Sequence, residues 1–147
     1  MKRIKISAER EGVFNEVALT SAYRSVRRDK GNMGGELESM GDSDRRLAQW
    51  FFDDSVARGL TYLRPFLKGV VNSDEKFEVE LELEESWPDT LEETARLHLK
   101  AYMVQSVLGR WLGMMDEAES AKAECEATKE IGRLMATLYH RAAPVRG

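Results

Sequence analysis

The sequence predicts a mainly α-helical single domain over residues 1–147, four helices with a small two-stranded antiparallel sheet, and three stretches carry that expectation. Residues 87–115, WPDTLEETARLHLKAYMVQSVLGRWLGMM, keep helical spacing on two faces at once. Leu91, Ala95, His98, Tyr102, Gln105 and Leu112 make one stripe; Leu97, Ala101, Val104, Leu108, Trp111 and Met115 make the other. A helix with two apolar stripes is buried from two sides, so the remaining segments are expected to pack on it. Residues 76–85 alternate strictly, Phe77, Val79, Leu81 and Leu83 against Glu78, Glu80, Glu82 and Glu84, which is a strand pattern. Residues 2–7 alternate as well, Ile4 and Ile6 against Arg3 and Lys5. Pairing the two strands sets unlike charges side by side, so the basic strand and the acidic strand are expected to be partners.

Taken in order, the basic strand is followed over residues 10–28 by helical spacing at Val13, Phe14, Val17, Ala18, Ala22 and Val26. Residues 29–41, DKGNMGGELESMG, hold four glycines and no periodicity, with Met33, Leu37 and Met40 as the bulky apolar groups. Loops of this length are uncommon in compact domains and are either functional or unstructured, here a loop that a partner orders or that stays flexible. Asp42 or Ser43 can cap a second helix whose face is Leu47, Trp50, Phe51, Val56, Leu60, Leu63 and Leu67, weakened at Pro65 and stopped by Gly69. Its aromatics, Trp50, Phe51, Phe52, Tyr62 and Phe66, exceed what one narrow stripe holds, so either the helix is sandwiched or one aromatic edge meets another chain. After the acidic strand, Pro88 suits a first helical turn, and Asp89 or Thr90 can cap with Glu92 or Glu93. Asp116 and Glu117 open a fourth helix running to about residue 142. It carries two lines, Ala121, Cys125, Thr128, Gly132, Met135 and Tyr139 beside Ala127, Ile131, Leu134 and Leu138. A tail over residues 143–147 begins with Pro144 as a helix stop.

Composition narrows the function. Apolar residues at 42% and charged residues at 33% describe a globular chain with long half-exposed helices. A net charge of −4 argues against a dedicated nucleic-acid binder. A single cysteine, Cys125, rules out an internal disulfide and fits a reducing compartment. The basic start lacks the apolar run of a signal peptide, and Lys100, Gln105 and Arg110 interrupt the best candidate for a membrane span.

No catalytic constellation stands out, and the sequence calls for no cofactor and no metal. His98 and His140 have no second histidine or acid at ligand spacing. Cys125 has no paired histidine and reads as a small buried hydrophobe. Glycines 31, 34 and 35 follow no phosphate-loop order. Gly109 and Gly113 permit close approach of a helix backbone. Arg24, Arg27 and Arg28 form a basic cluster, read as a solvated face or, in a small helical regulatory or nucleic-acid-associated oligomer, as phosphate contacts. A carboxylate site from Glu92, Glu93 and a distant acid is the enzymatic alternative.

An aspartate-capped aromatic helix, an extended strand, and a proline-started helix with Pro88, Leu91 and Ala95, running on to Arg110 and Trp111, resembles the head–tail connector, or head-completion adaptor, proteins of tailed bacteriophages. The resemblance spans about residues 42–142, and the chain before it departs from the family's start. It implies a non-enzymatic virion protein, assembled in the bacterial host cytoplasm. Such a protein forms a homo-oligomeric ring under the portal protein and links it to tail or neck proteins. DNA passes through the ring without sequence-specific binding, and no membrane is involved. The residues expected to meet other subunits are Met33, Leu37 and Met40 of the loop, Trp50 and Phe52, Phe77, Val79, Leu81 and Leu83 of the strand, and Arg141 and Arg146 near the C-terminal end.

Overall fold

The computed structural model describes residues 1–28 and 44–140, with backbone alone at 22–28. The chain runs β1 (Lys2–Glu9), α1 (Arg10–Arg28), α2 (Arg45–Leu63), β2 (Leu67–Asn72), β3 (Lys76–Leu83), α3 (Glu92–Leu112) and α4 (Glu117–Leu138). The protein is mainly helical, as expected, but its antiparallel sheet has three strands, in the order β1-β3-β2, rather than two. The predicted pair forms in the predicted charge register, Arg3 opposite Glu82 and Lys5 opposite Glu80. The additional strand begins where helical spacing was expected to continue. α2 stops at Leu63, ahead of Pro65, and Leu67, assigned to the helix face from sequence, pairs with Leu81 instead. Ser73 closes the β2–β3 hairpin, its N–H donating to the Lys76 carbonyl at 2.9 Å while its Oγ accepts from the Glu75 and Lys76 N–H groups.

One face of the sheet is covered and one is open. Ile4, Ile6, Phe77, Val79, Leu81 and Leu83 face the helices and are buried, with α3 lying beneath β1. α3 is the centre of the core, as its two stripes predict, and its second half is enclosed nearly all round, from Tyr102 to Leu112. Leu97, placed in a stripe by spacing, is exposed. The start of this segment also differs from expectation. Asp89–Leu91 is a 3-10 turn, α3 begins at Glu92, and neither start carries a side-chain cap bond. Trp87 instead turns inward, fully buried, and donates from Nε1 at 2.9 Å to the Thr137 carbonyl at the C-terminal end of α4, which also accepts from the His140 N–H. α4, by contrast, is capped: Asp116 Oδ1 accepts from the N–H groups of Ala118 and Glu119.

α4 buries Ala123, Ala127, Ile131, Leu134 and Leu138 against α3 and leaves the line of Ala121, Thr128, Gly132 and Tyr139 exposed. Cys125 belongs to the exposed line, which corrects its reading as a buried hydrophobe. The two helices approach closely at Gly109, where a Cβ would stand 2.8 Å from Glu124 Cγ and 3.3 Å from its backbone nitrogen. Ser120 Oγ donates to the Gly109 carbonyl across this contact at 2.7 Å.

Candidate interaction surface

Among the residues expected to meet partners, the structure separates two groups. Trp50 stands on the outer side of α2, 72% exposed and directed away from the core. Phe52, Phe77, Val79, Leu81 and Leu83 are enclosed in the chain's own core and cannot reach another subunit. Their assignment to an interface is corrected: the strand's apolar face has its cover within the chain, in the core that the helices share with the sheet. Met33, Leu37, Met40, Arg141 and Arg146 lie outside the described residues, as do the expected caps Asp42 and Ser43.

Among the described residues, what remains open is the sheet itself, on its outer face and along its edges. On the outer face Arg3 and Lys5 of β1 stand beside Glu78, Glu80 and Glu82 of β3. Arg3 lies between two carboxylates, 3.5 Å from Glu80 and 3.4 Å from Glu82, and Lys68 reaches Glu82 at 3.9 Å. Lys76 holds Glu78 at 3.1 Å. These are solvent-screened pairs that contribute little stability each. β2 is an edge strand with Val70 41% and Val71 47% exposed, one on each side of the sheet, and neither was singled out from sequence. The available signal was the β-branched pair between Pro65 and the Ser73–Asp74 turn, which the helical spacing that runs on to Leu67 obscures.

The direction of the free backbone groups follows from two bonds. Glu82 donates its N–H to the Phe66 carbonyl at 2.8 Å, and Ser73 donates to Lys76 across the hairpin, so the even-numbered residues of β3 turn their backbone toward β2. Gly69 and Val71, opposite Glu80 and Glu78, therefore face inward, and Val70 turns its N–H and C=O to the open edge. By the same alternation Arg3, Lys5 and Ser7 direct their backbone groups out from β1. Among the described residues both edges are thus unpaired at these positions.

A second polar feature that sequence spacing does not reveal lies at the opposite end of β2. The Arg10 guanidinium, nearly fully buried, donates from Nε to the Ser73 carbonyl at 2.7 Å. Nη2 donates to Asp53 at 2.6 Å and to Asn72 at 2.7 Å, and Nη1 to Gln49. Its carbon stands 4.2 Å over the Phe52 ring. Asn72 Nδ2 also donates to Asp53 at 3.1 Å. One side chain joins the start of α1, the middle of α2 and the hairpin, and all its polar nitrogens are satisfied. It is a tie within the fold rather than an empty site.

Other polar groups also serve packing. Between α2 and α3, Tyr102 donates to the Ser55 carbonyl at 2.7 Å, and Ser55 and Ser106 share a hydrogen bond of 2.6 Å. Burial, foremost, pushes the Tyr102 phenol up to about 12. His98 Nδ1 lies 2.9 Å from Glu130 on α4, whose other oxygen takes Arg133. Arg110 bridges Asp54 of α2 at 2.5 Å and Glu124 of α4 at 3.5 Å. Among the described residues no group of three His, Cys, Asp or Glu is placed to hold a metal, and no helix is long and apolar enough to cross a membrane. The chain matches no known protein family, curated protein or solved structure.

Proposed function

We propose that this chain is a non-enzymatic structural protein of a tailed-phage virion, a head–tail adaptor that acts by assembling as a ring with copies of itself between portal and tail components. The observation that carries the reading is the open β2 edge with Val70 and Val71 half exposed, on a sheet whose other face is well filled. Exposed large apolar groups around a closed core, Trp50 above all, with Tyr62 and Tyr139, are what an assembly subunit retains for its neighbours. The polar clusters found are consumed by packing: the Arg10 node and the Tyr102 seam each satisfy their own groups. The virion assignment rests on the resemblance over about residues 42–142.

Mass spectrometry of purified virions and pull-down with portal and tail proteins test it. The chain is expected in the particle in a fixed ratio to portal. A chain missing from virions that captures neither portal nor tail components defeats the proposal.

A further inference from the structure

We infer that copies of this chain join head to tail through their sheet edges, the β2 edge of one copy pairing in parallel with the β1 edge of the next. The inference rests on the adaptor reading for its ring but on the sheet for its geometry.

β1 and β2 are each antiparallel to β3 and therefore parallel to one another. A neighbouring copy rotated about a ring axis consequently brings its β1 alongside β2 with strand direction preserved, and the sheet continues from subunit to subunit. The backbone groups needed for such a joint are the ones directed outward, at Val70 on one edge and at Arg3, Lys5 and Ser7 on the other.

The two edges differ in a complementary way. β1 carries Arg3 and Lys5 on the outer face, both exposed. β2 has Gly69 on that same face, and the Glu80 carboxylate lies over it, Oε2 standing 3.4 Å from where a Cβ would be. Since Gly69 has no side chain, the glutamate row is reachable across β2 by the long cations of an incoming β1. Flanking the β1 edge is an open hollow of about 340 Å³ lined by Lys5, Ile6, Asp89, Thr90, Glu92 and Glu93, together with Arg96. Asp89 is held by Lys2 and Glu93 by Arg96, and Glu92 lines the same hollow. The hollow leaves room beside β1 for a strand, and Val70 of the neighbour would cover the apolar side of the edge.

Proline variants test the joint without disturbing the subunit, because the N–H groups of Val70 and Lys5 make no bond within the sheet. Val70→Pro and Lys5→Pro should each keep the wild-type circular dichroism and melting curve. In sedimentation velocity, wild type should associate with concentration, and each variant should lose self-association by about 100-fold or more, because the ring removes a donor and blocks the incoming strand. Mixing the two variants should restore a single joint, the intact β2 edge of Lys5→Pro meeting the intact β1 edge of Val70→Pro, and yield one-to-one pairs that grow no further. If Lys5→Pro does not fold, the exposed Lys5→Glu takes its place and should also weaken association. A wild-type chain that stays monomeric at high concentration overturns the inference. So does a Lys5→Pro protein that associates as wild type while Val70→Pro does not, which marks a two-fold β2 to β2 pair. A mixture that remains monomeric overturns it equally. These results leave the adaptor reading to the virion and portal measurements, which can succeed or fail independently.

Discussion

The α3–α4 pair and the corner where α1, α2 and the β2–β3 hairpin meet are held together by opposite means. In the pair, a long apolar seam closes over Gly109, and the polar contacts, Ser120 to the Gly109 carbonyl and His98 to Glu130, decorate contacts already made by packing. At the corner, one buried guanidinium at the start of α1 supplies four hydrogen bonds, two to α2 and two to the β2–β3 hairpin. The first arrangement spreads its stability over many side chains, each of which is dispensable in part. The second concentrates it in a single residue whose removal strands several acceptors at once.

The largest expected effect breaks the corner. Arg10→Met should cost about 3 kcal/mol in urea unfolding, since Gln49, Asn72 and the Ser73 carbonyl lose their donor, while Asp53, half exposed, recovers water. Hydrogen exchange should rise in β2 and β3 before it rises in α3 and α4. Arg10→Lys should recover less than half of the loss, because an ammonium cannot serve the same planar set of acceptors. Equal exchange across both regions would show that the corner is not a separate weak point.

Tyr102 sharpens the comparison at the α2–α3 seam, where a polar group sits inside an apolar contact. Its folded pKa, about 12, lies above the ordinary value of 10. A raised value means that the folded state holds the proton more tightly, so the stabilisation is complete below pH 10 and is lost as pH rises toward 12. Two pKa units correspond to roughly 2–3 kcal/mol. Unfolding midpoints measured across this range should fall more steeply for wild type than for Tyr102→Phe. Parallel slopes would place the alkaline loss elsewhere.

Two glycines of the α3–α4 pair give a smaller contrast. Gly109→Ala should destabilise by about 1 kcal/mol, crowding of Glu124 outweighing the gain in helix propensity. Gly132→Ala on exposed α4, where a Cβ meets nothing within 4 Å, should stabilise by about 0.5–1 kcal/mol. The smallest effect comes from three exposed carboxylates whose pKa values are lowered by their partners, Glu11 by Arg45, Glu93 by Arg96 and Glu85 by the N-terminal ammonium. Their contribution is present above the usual value of 4.5 and is lost as pH falls through the lowered folded values. Added salt should shrink this acid slope and leave the Tyr102 slope nearly unchanged.

Local pattern by itself determined the helices, the β1–β3 pairing with its charge register, and the close approach at Gly109. Each is encoded in spacings of two to four residues, which set a face before any partner is present. Tertiary structure decided the rest. β2 became a strand because Pro65 ends α2 and β3 offers an unpaired side, even though apolar spacing carries a helix to Leu67. The packed helices took Phe77, Val79, Leu81 and Leu83 into the core and left the sheet edges, rather than its apolar face, open among the described residues. Which line of α4 is buried depended on the face α3 presents, so Cys125 fell outside. Arg10 found its acceptors 39 to 63 positions away in the chain. No periodicity reaches that far: a guanidinium is buried only where distant elements happen to converge enough acceptors to replace the water it loses.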